Sequence, residues 1–311
     1  MAPDGPPRPL EQDVDADVAI VGAGISGVAT AFFTLRSTDR QVLLIERDRV
    51  ARGATGRNAG QLTTYFERPL RDIAREYGVG PALEAQRLLD RAHDLLDLMA
   101  AEAGATVRVE RFTGHMGMFT LNHLQVHLEN NLLRKQGGLE LETCVVSEDA
   151  EFLGDIPAEY AALYSVVPQR RIRELLETTD DHYRAVLSER KGCANSGALV
   201  QQVLAYLERR YPERLRFVDH THVERIEVGA ERVTLHARGH RITAAEAVLC
   251  TNAYLEHRIE DAQGNPVTVS PARQVASRVA FMMAYVDTAL REPSAMSYIL
   301  NRTIGGTTPY V

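Results

Sequence analysis

The chain has no tryptophan, only three cysteines, a shortage of basic charge and no long apolar run. Cys144, Cys193 and Cys250 lie far apart without a CxxC pair, so neither a disulfide framework nor a metal cluster is expected. No stretch of about 18 apolar residues escapes helix breakers, so no membrane span is expected. The most apolar segment, residues 18–33, is broken by Gly22, Gly24 and Gly27. Lys and Arg number 35 against 42 Asp and Glu, a net charge of −7. That balance argues against a nucleic-acid partner, which calls for a basic face. The opening MAPDGPPRPL lacks the apolar core of a signal peptide. Free cysteines and no leader together predict a cytoplasmic protein.

What is present is a globular mixture, 45% hydrophobic and 25% charged. Over 311 residues that predicts one large domain or two ordinary ones. Residues 1–16 are rich in Pro and Asp and read as a flexible tail. Val18 to Val21 is a short continuous apolar run, as for a strand buried on both faces. A glycine turn follows, then a helical composition from Ile25 to Leu35, then a second buried strand from Gln41 to Glu46. Strand, turn, helix and strand make one βαβ unit.

Further on, Arg52 to Gln61 is small, polar and glycine-rich, a loop. Pro81 to Ala103 is the strongest helix, with Leu88, Ala92, Leu95, Leu96 and Met99 on its apolar face. Val107 to Phe112 and Met116 to Leu121 read as strands separated at Gly114. Asn122 to Gln136 is an amphipathic helix, and a helix capped by Asn195 or Ser196 runs to Arg210. Segments 215–218, 223–228, 232–237, 247–250 and 278–286 read as strands. No repeat recurs at a fixed period.

The chemistry is concentrated in Gly22-Ala23-Gly24-Ile25-Ser26-Gly27, a GxGxxG run after a predicted strand and opening a predicted helix. The first glycine permits the tight turn, the second lets backbone approach a pyrophosphate, and the third lets helix and strand pack. The phosphate then meets free N–H groups at the helix N-terminus. Glu46, with Arg47 beside it, stands 19 residues after Gly27, near the ~20 expected of the acid that takes ribose hydroxyls. A structural glycine turn with a surface glutamate is the bland alternative.

Read with the loop Gly53-Ala54-Thr55-Gly56-Arg57-Asn58-Ala59-Gly60-Gln61, the turn resembles the FAD-dependent D-amino-acid oxidase/glycine oxidase superfamily. Within it, the loop is most similar to γ-glutamylputrescine oxidase-like amine oxidoreductases. The resemblance covers residues 17–80 and, more loosely, 190–255. It implies FAD as cofactor, with Thr55 to Gln61 passing beside the flavin. It further implies that the backbone of Val223 meets the adenine, and that Thr251, Asn252 and Ala253 return to the nucleotide.

The implied fold is α/β: a Rossmann-like FAD-binding domain with a second, mixed-sheet α+β substrate domain. The first is expected from residues 17–103 and 193–255, the second from 104–192 and 256–311. The family ends with another glycine-rich segment, and Gly305-Gly306 is too short to be it, so the substrate domain is expected to be incomplete at its C-terminus.

The implied reaction oxidises the C–N bond of an amine or amino acid by hydride transfer to flavin N5, giving an imine. Oxygen or another acceptor then takes the electrons. No catalytic residue is assigned. Arg111 and His115 are the candidates to meet a substrate carboxylate, with surface charges on a strand as the alternative. A hydroxy-acid or glycerol-phosphate-type dehydrogenase shares the nucleotide half and stays open, as does a truncated, non-catalytic flavoprotein fragment. His123 and His127 are i, i+4 on a predicted helix but lack a third ligand, so solvated histidines are expected and no metal.

Overall fold

The computed structural model describes residues 5–66, 68–254 and 257–267, and the short strands Tyr285–Val286 and Pro309–Tyr310. In chain order the other strands are β1 Val14–Val21, β2 Val42–Ile45, β3 Gln61–Leu62, β4 Val109–Met118, β5 Thr143–Ser147, β6 Ser165–Val167, β7 Ala185–Ala194, β8 Leu215–Val218, β9 Val223–Val228, β10 Val233–Ala237, β11 His240–Leu249 and β12 Arg258–Asp261. The helices are α1 Ile25–Ser37, α2 Leu70–Tyr77, α3 Val79–Glu102, α4 Leu121–Gln136, α5 Gln169–Leu176 and α6 Ser196–Arg210. Two compact units divide the chain. Unit 1 takes Met1–Asn58, Asp97–Val107 and Asn195–Phe281, and unit 2 takes Ala59–Leu96, Arg108–Ala194 and Met282–Val311. Residues 59–96, grouped by sequence with the nucleotide half, thus cluster with unit 2.

Unit 1 is built on a seven-stranded sheet in the order β12-β9-β10-β11-β1-β2-β8. The run β11-β1-β2-β8 is parallel, and β9-β10-β11 is an antiparallel meander. Residues 18–21 and 42–45 are buried throughout, which is why these strands read as unbroken apolar runs. Helix α1 buries Val28, Ala31, Phe32 and Leu35. The cluster of Ala19, Val21, Leu43, Ile45, Leu235 and Ile242 anchors the sheet. This is the Rossmann-like half that the resemblance implies.

Unit 2 holds a mixed sheet, β3-β7-β5-β6, with β4 pairing the full length of β7. Pairing is antiparallel except between β5 and β6. Its core joins Met118, Leu124, Leu128, Val146, Ala185 and Leu187. The α+β character expected of the second half holds.

Four local expectations are corrected. The N-terminal segment is not a free tail: Leu10 is 1% exposed, its N–H donates to Thr221 Oγ1 at 3.0 Å, and β1 begins at Val14. One apolar side chain and a parallel partner for β1 outweigh the Pro- and Asp-rich composition. Residues 52–61 do hold regular structure, a 3-10 turn at Ala54–Gly56 and the start of β3. Gly114 does not divide the segment into separate strands, because β4 runs through it opposite Glu189 and a side chain there would meet Lys191.

Helix α3 buries only part of the expected face, Met99 fully and Leu96 in part. Leu88 and Leu95 are exposed while Gln86 and His93 are buried. Gln86 donates to the Thr64 carbonyl at 2.7 Å, and His93 Nε2 lies 3.2 Å from the Thr63 carbonyl. Those polar side chains turn inward to partner the Thr63 and Thr64 carbonyls. The strand expected over 278–286 lies outside the described residues except at Tyr285–Val286.

Candidate functional site

At the C-terminal ends of β1, β2 and β11, unit 1 opens into a cavity of about 660 Å3. Open parallel sheets place ligand sites at such ends. Gly22 has φ +105°, a left-handed conformation that favours glycine. A Cβ there would lie 2.5 Å from the Cys250 carbonyl oxygen. A Cβ on Gly27 would collide with the Gly22 carbonyl, and one on Gly24 would lie 3.0 Å from Thr55 Oγ1. The wall is therefore bare backbone because side chains do not fit. Gly24 caps α1 without a side-chain hydrogen bond, and the Ile25 N–H donates to Thr55 Oγ1 at 2.9 Å.

Side chains fix this backbone from several elements. Glu46 Oε2 accepts from the Ala23 N–H at 2.8 Å, and its Oε1 from the Asp48 N–H at 3.0 Å. Asn58 Nδ2 donates to the carbonyls of Ala54 and Thr55 at 2.9 and 2.8 Å. Ser196, opening α6, donates from Oγ to the Thr55 carbonyl at 2.7 Å. Asn195 is the cap, accepting from the Ala198 N–H at 3.1 Å.

Of the residues singled out from sequence, Gly22, Gly24, Ile25, Ser26, Glu46, Arg47, Thr55, Arg57, Asn58, Val223, Thr251 and Asn252 line this one cavity. Ala23, Gly27, Gly56 and Ala253 are not among the residues that line it. Ala59, Gly60 and Gln61 belong to unit 2, where Gln61 pairs with Cys193 and the Gly60 carbonyl accepts from the Ala194 N–H. Arg111 and His115 are also in unit 2. They are not surface charges: Arg111 is half-buried, and His115 is 8% exposed with Nδ1 2.7 Å from Ser188 Oγ. Burial, then the nearby Arg171, lowers the His115 pKa. Both occupy the β4 face opposite to that of Met116.

Sequence reasoning missed Tyr254 and His257. The Arg47 guanidinium lies 3.9 Å over the Tyr254 ring. His257 Nδ1 is 3.0 Å from the Val223 carbonyl, while its Nε2 is buried without a partner. Tyr254 follows directly on the Thr251 to Ala253 turn, which was a usable signal. His257 carries no local signal, since pairing of β12 with β9 brings it in. The Cys250 thiol is pushed up by burial, so it is no nucleophile. Among the described residues no cluster of metal-ligating side chains occurs, and no helix is long and apolar enough to cross a membrane.

A parallel sheet with a glycine turn, an acid ending the second strand and a cavity over both defines a dinucleotide-binding α/β protein. The chain belongs to the FAD-dependent oxidoreductase family, whose model matches residues 17–308. Over 73 residues it is 34% identical to γ-glutamylputrescine oxidoreductase of Escherichia coli, covering 24% of this chain and 17% of that one. Its fold is similar to L-proline dehydrogenase from P. horikoshii, at TM-score 0.57 and 14% identity over 79% of this chain and 54% of that one. It is likewise similar to glycine oxidase from Geobacillus kaustophilus, at TM-score 0.53 and 16% identity over 78% and 56%. The chain thus spans about half the length of those solved structures and a smaller share of the curated relative.

FAD is the family's cofactor, and the residues present fit it. The glycine cradle leaves room for a pyrophosphate at the N-terminus of α1. The orphaned His257 Nε2 is a buried polar atom in want of a partner in the same cavity.

Proposed function

We propose that the cavity of unit 1 holds FAD and that the chain acts on the C–N bond of a small amine or amino acid. The observation that carries the first half is the bare backbone at the β1–α1 turn, where Gly22 is pressed on the Cys250 carbonyl. The N-terminus of α1 receives the pyrophosphate, since its N–H groups and dipole favour an anion there. Glu46 receives the ribose hydroxyls, because each carboxylate oxygen still has an acceptor site after its backbone bond. Val223 meets the adenine through its backbone, with His257 steadying that carbonyl. Thr251 and Asn252 close the far wall, and Asn252 is held at φ +53°. Thr55 to Asn58 pass beside the ring, fixed by Asn58 and Ser196.

Bound FAD supplies a two-electron acceptor for a C–H bond next to nitrogen. The chain's own tasks are to position the substrate, exclude water and keep its amine neutral. The C–N half of the proposal is supported by the relatives' names, which are those of amine and amino-acid enzymes.

The test is a visible absorbance spectrum of the purified chain, before and after anaerobic addition of amines and amino acids. Two flavin bands that bleach with such a substrate are expected. No bands even after added FAD would sink the cofactor assignment. Bands that bleach with hydroxy acids and with no amine would sink the C–N assignment and leave the cofactor in place.

A further inference from the structure

Unit 2 holds a cavity of its own, about 410 Å3, in the size range of small-molecule sites. Three buried charged side chains, Lys191, Glu189 and Arg134, meet there with the partly buried Glu142. Lys191 and Glu189 pair at 3.0 Å with side chains only 8% and 6% exposed. Arg134 is as deeply buried, at 6%, yet its carboxylate neighbours stand off: Asp90 at 3.5 Å and Glu142 at 3.8 Å. Its other contacts are the carbonyls of Glu140 at 3.1 Å and Thr64 at 3.5 Å. A buried guanidinium normally meets a carboxylate as a forked pair at about 2.7–2.9 Å. Arg134 therefore lines the cavity with two carboxylates and two carbonyls in range but with no carboxylate closed on it as a fork.

The rest of the lining says what kind of group completes the pair. Burial pushes the Glu142 carboxyl up to about 7, against the pull of Arg134 and with Glu189 and Asp90 adding repulsion. Near neutrality it therefore offers Arg134 only part of a charge. Burial likewise holds His127 down at about 4, with His123 and Arg71 acting in the same direction, so its imidazole is neutral. A cationic ligand finds no carboxylate to receive it, because Glu189 is taken by Lys191 and Glu142 is half protonated. One guanidinium without a fork partner suits one carboxylate better than a multiply charged phosphate. The rest of the wall sets apolar and aromatic side chains, Tyr65, Phe66, Leu70, Val126 and Leu187 among them, beside the polar Arg68, Gln86, His123 and Asn130.

We infer that this cavity binds a small organic carboxylate with an apolar tail, its carboxylate received by Arg134 and its tail lying against Tyr65, Phe66 and Leu187. A bound anion opposes ionisation of Glu142, which is faced by Arg134 from α4, Asp90 from α3 and Glu189 and Lys191 from β7. Binding accordingly takes up a proton at Glu142 and weakens as the pH rises above 7. No flavin is needed for this site to fill, so its success or failure is read apart from the spectrum described above.

The experiment is calorimetric titration of the full chain with isocaproate and with isoamylamine, which share a tail and differ in the charged head. Isocaproate is expected to bind, and isoamylamine at least about tenfold more weakly. Arg134→Gln is expected to lose at least about tenfold in isocaproate affinity. Should that variant fail to fold, Arg134→Lys keeps the charge, loses the fork and shows a loss of about tenfold. Glu142→Gln is expected to keep binding and to lose its pH dependence. Absence of isocaproate binding, an amine bound as tightly as the acid, or unchanged binding in Arg134→Lys would each overturn the inference.

Discussion

The two cavities are walled by different material. In unit 1 the wall is main chain, exposed by glycines that neighbouring backbone crowds: Gly22 by Cys250 and Gly27 by Gly22. In unit 2 it is long charged side chains, Arg134 from α4 and Glu189 and Lys191 from β7, packed with little access to water. A backbone wall tolerates no added atom, while a side-chain wall can shift but is sensitive to charge. The two units should therefore fail in different ways.

The largest effect is expected from glycine replacement, and it should split by unit. A Cβ at Gly27 meets the Gly22 carbonyl, which cannot move without reopening the β1–α1 turn. Gly27→Ala is expected to destabilise by on the order of 3 kcal/mol in urea unfolding. A Cβ at Gly114 also lands in occupied space, but the occupant is a side chain, that of Lys191, which can turn aside where main chain cannot. Gly114→Ala is expected to stay within about 1 kcal/mol of the parent, since a strand gains from losing a glycine. Equal losses at the two sites would erase the contrast between the walls.

The pH dependence of stability sharpens the contrast on the unit 2 side. Glu142 is held neutral, at about 7 against 4.5. Its stabilisation is full below pH 4.5 and lost as the pH rises through 7. His127 is held neutral too, at about 4 against 6.5. Its stabilisation is full above pH 6.5 and lost as the pH falls through 4. Between pH 4.5 and 6.5 the folded pair carries one proton, on Glu142, and the unfolded pair carries one, on His127.

The two slopes therefore oppose each other in the parent, and removing either group exposes the other. Glu142→Gln should lose stability relative to the parent as the pH falls from 6.5 to 4.5. His127→Gln should lose it as the pH rises over the same range. Each slope should approach about 1.4 kcal/mol per pH unit. Urea midpoints measured across this range check it, and curves that parallel the parent's would show that burial does not keep these groups neutral.

The same contrast explains what could be read from the amino acids. The unit 1 site follows from spacing within short segments: three glycines, an acid 19 residues on, and a Gly-Asn loop. Backbone geometry is a local property, so local sequence encodes it. His257 escaped notice because it joins the cavity through pairing of β12 with β9, which no spacing records. In unit 2, β7 was missed altogether, since Ser188, Glu189, Arg190 and Lys191 interrupt its apolar pattern. Glu189 and Lys191 are buried as a pair and Ser188 meets His115 of β4, while Arg190 stays exposed, and which of the four the fold covers is long-range information. Part of the α3 face was misread for a related reason. Gln86 and His93 turn inward to serve the backbone at Thr63 and Thr64, and apolar periodicity carries no trace of that demand.

The smallest expected effect lies at the helix caps, where the units can be matched like for like. Asn195 caps α6 in unit 1, and Thr120 caps α4 in unit 2 by accepting from the His123 N–H at 3.2 Å. Asn195→Ala and Thr120→Ala should each cost about 1 kcal/mol, measured by urea unfolding. Their consequences for the cavities should nevertheless differ. The first turn of α6 holds Ser196, whose hydroxyl steadies the Thr55 carbonyl and through it the loop facing Gly24. Fraying that turn loosens a wall built of backbone, so Asn195→Ala should also weaken FAD binding, by about threefold to tenfold in a fluorescence titration. Thr120→Ala leaves that wall untouched and should bind FAD as the parent does. A loss of FAD affinity shared equally by both caps would mean that the cap acts through overall stability and not through Ser196.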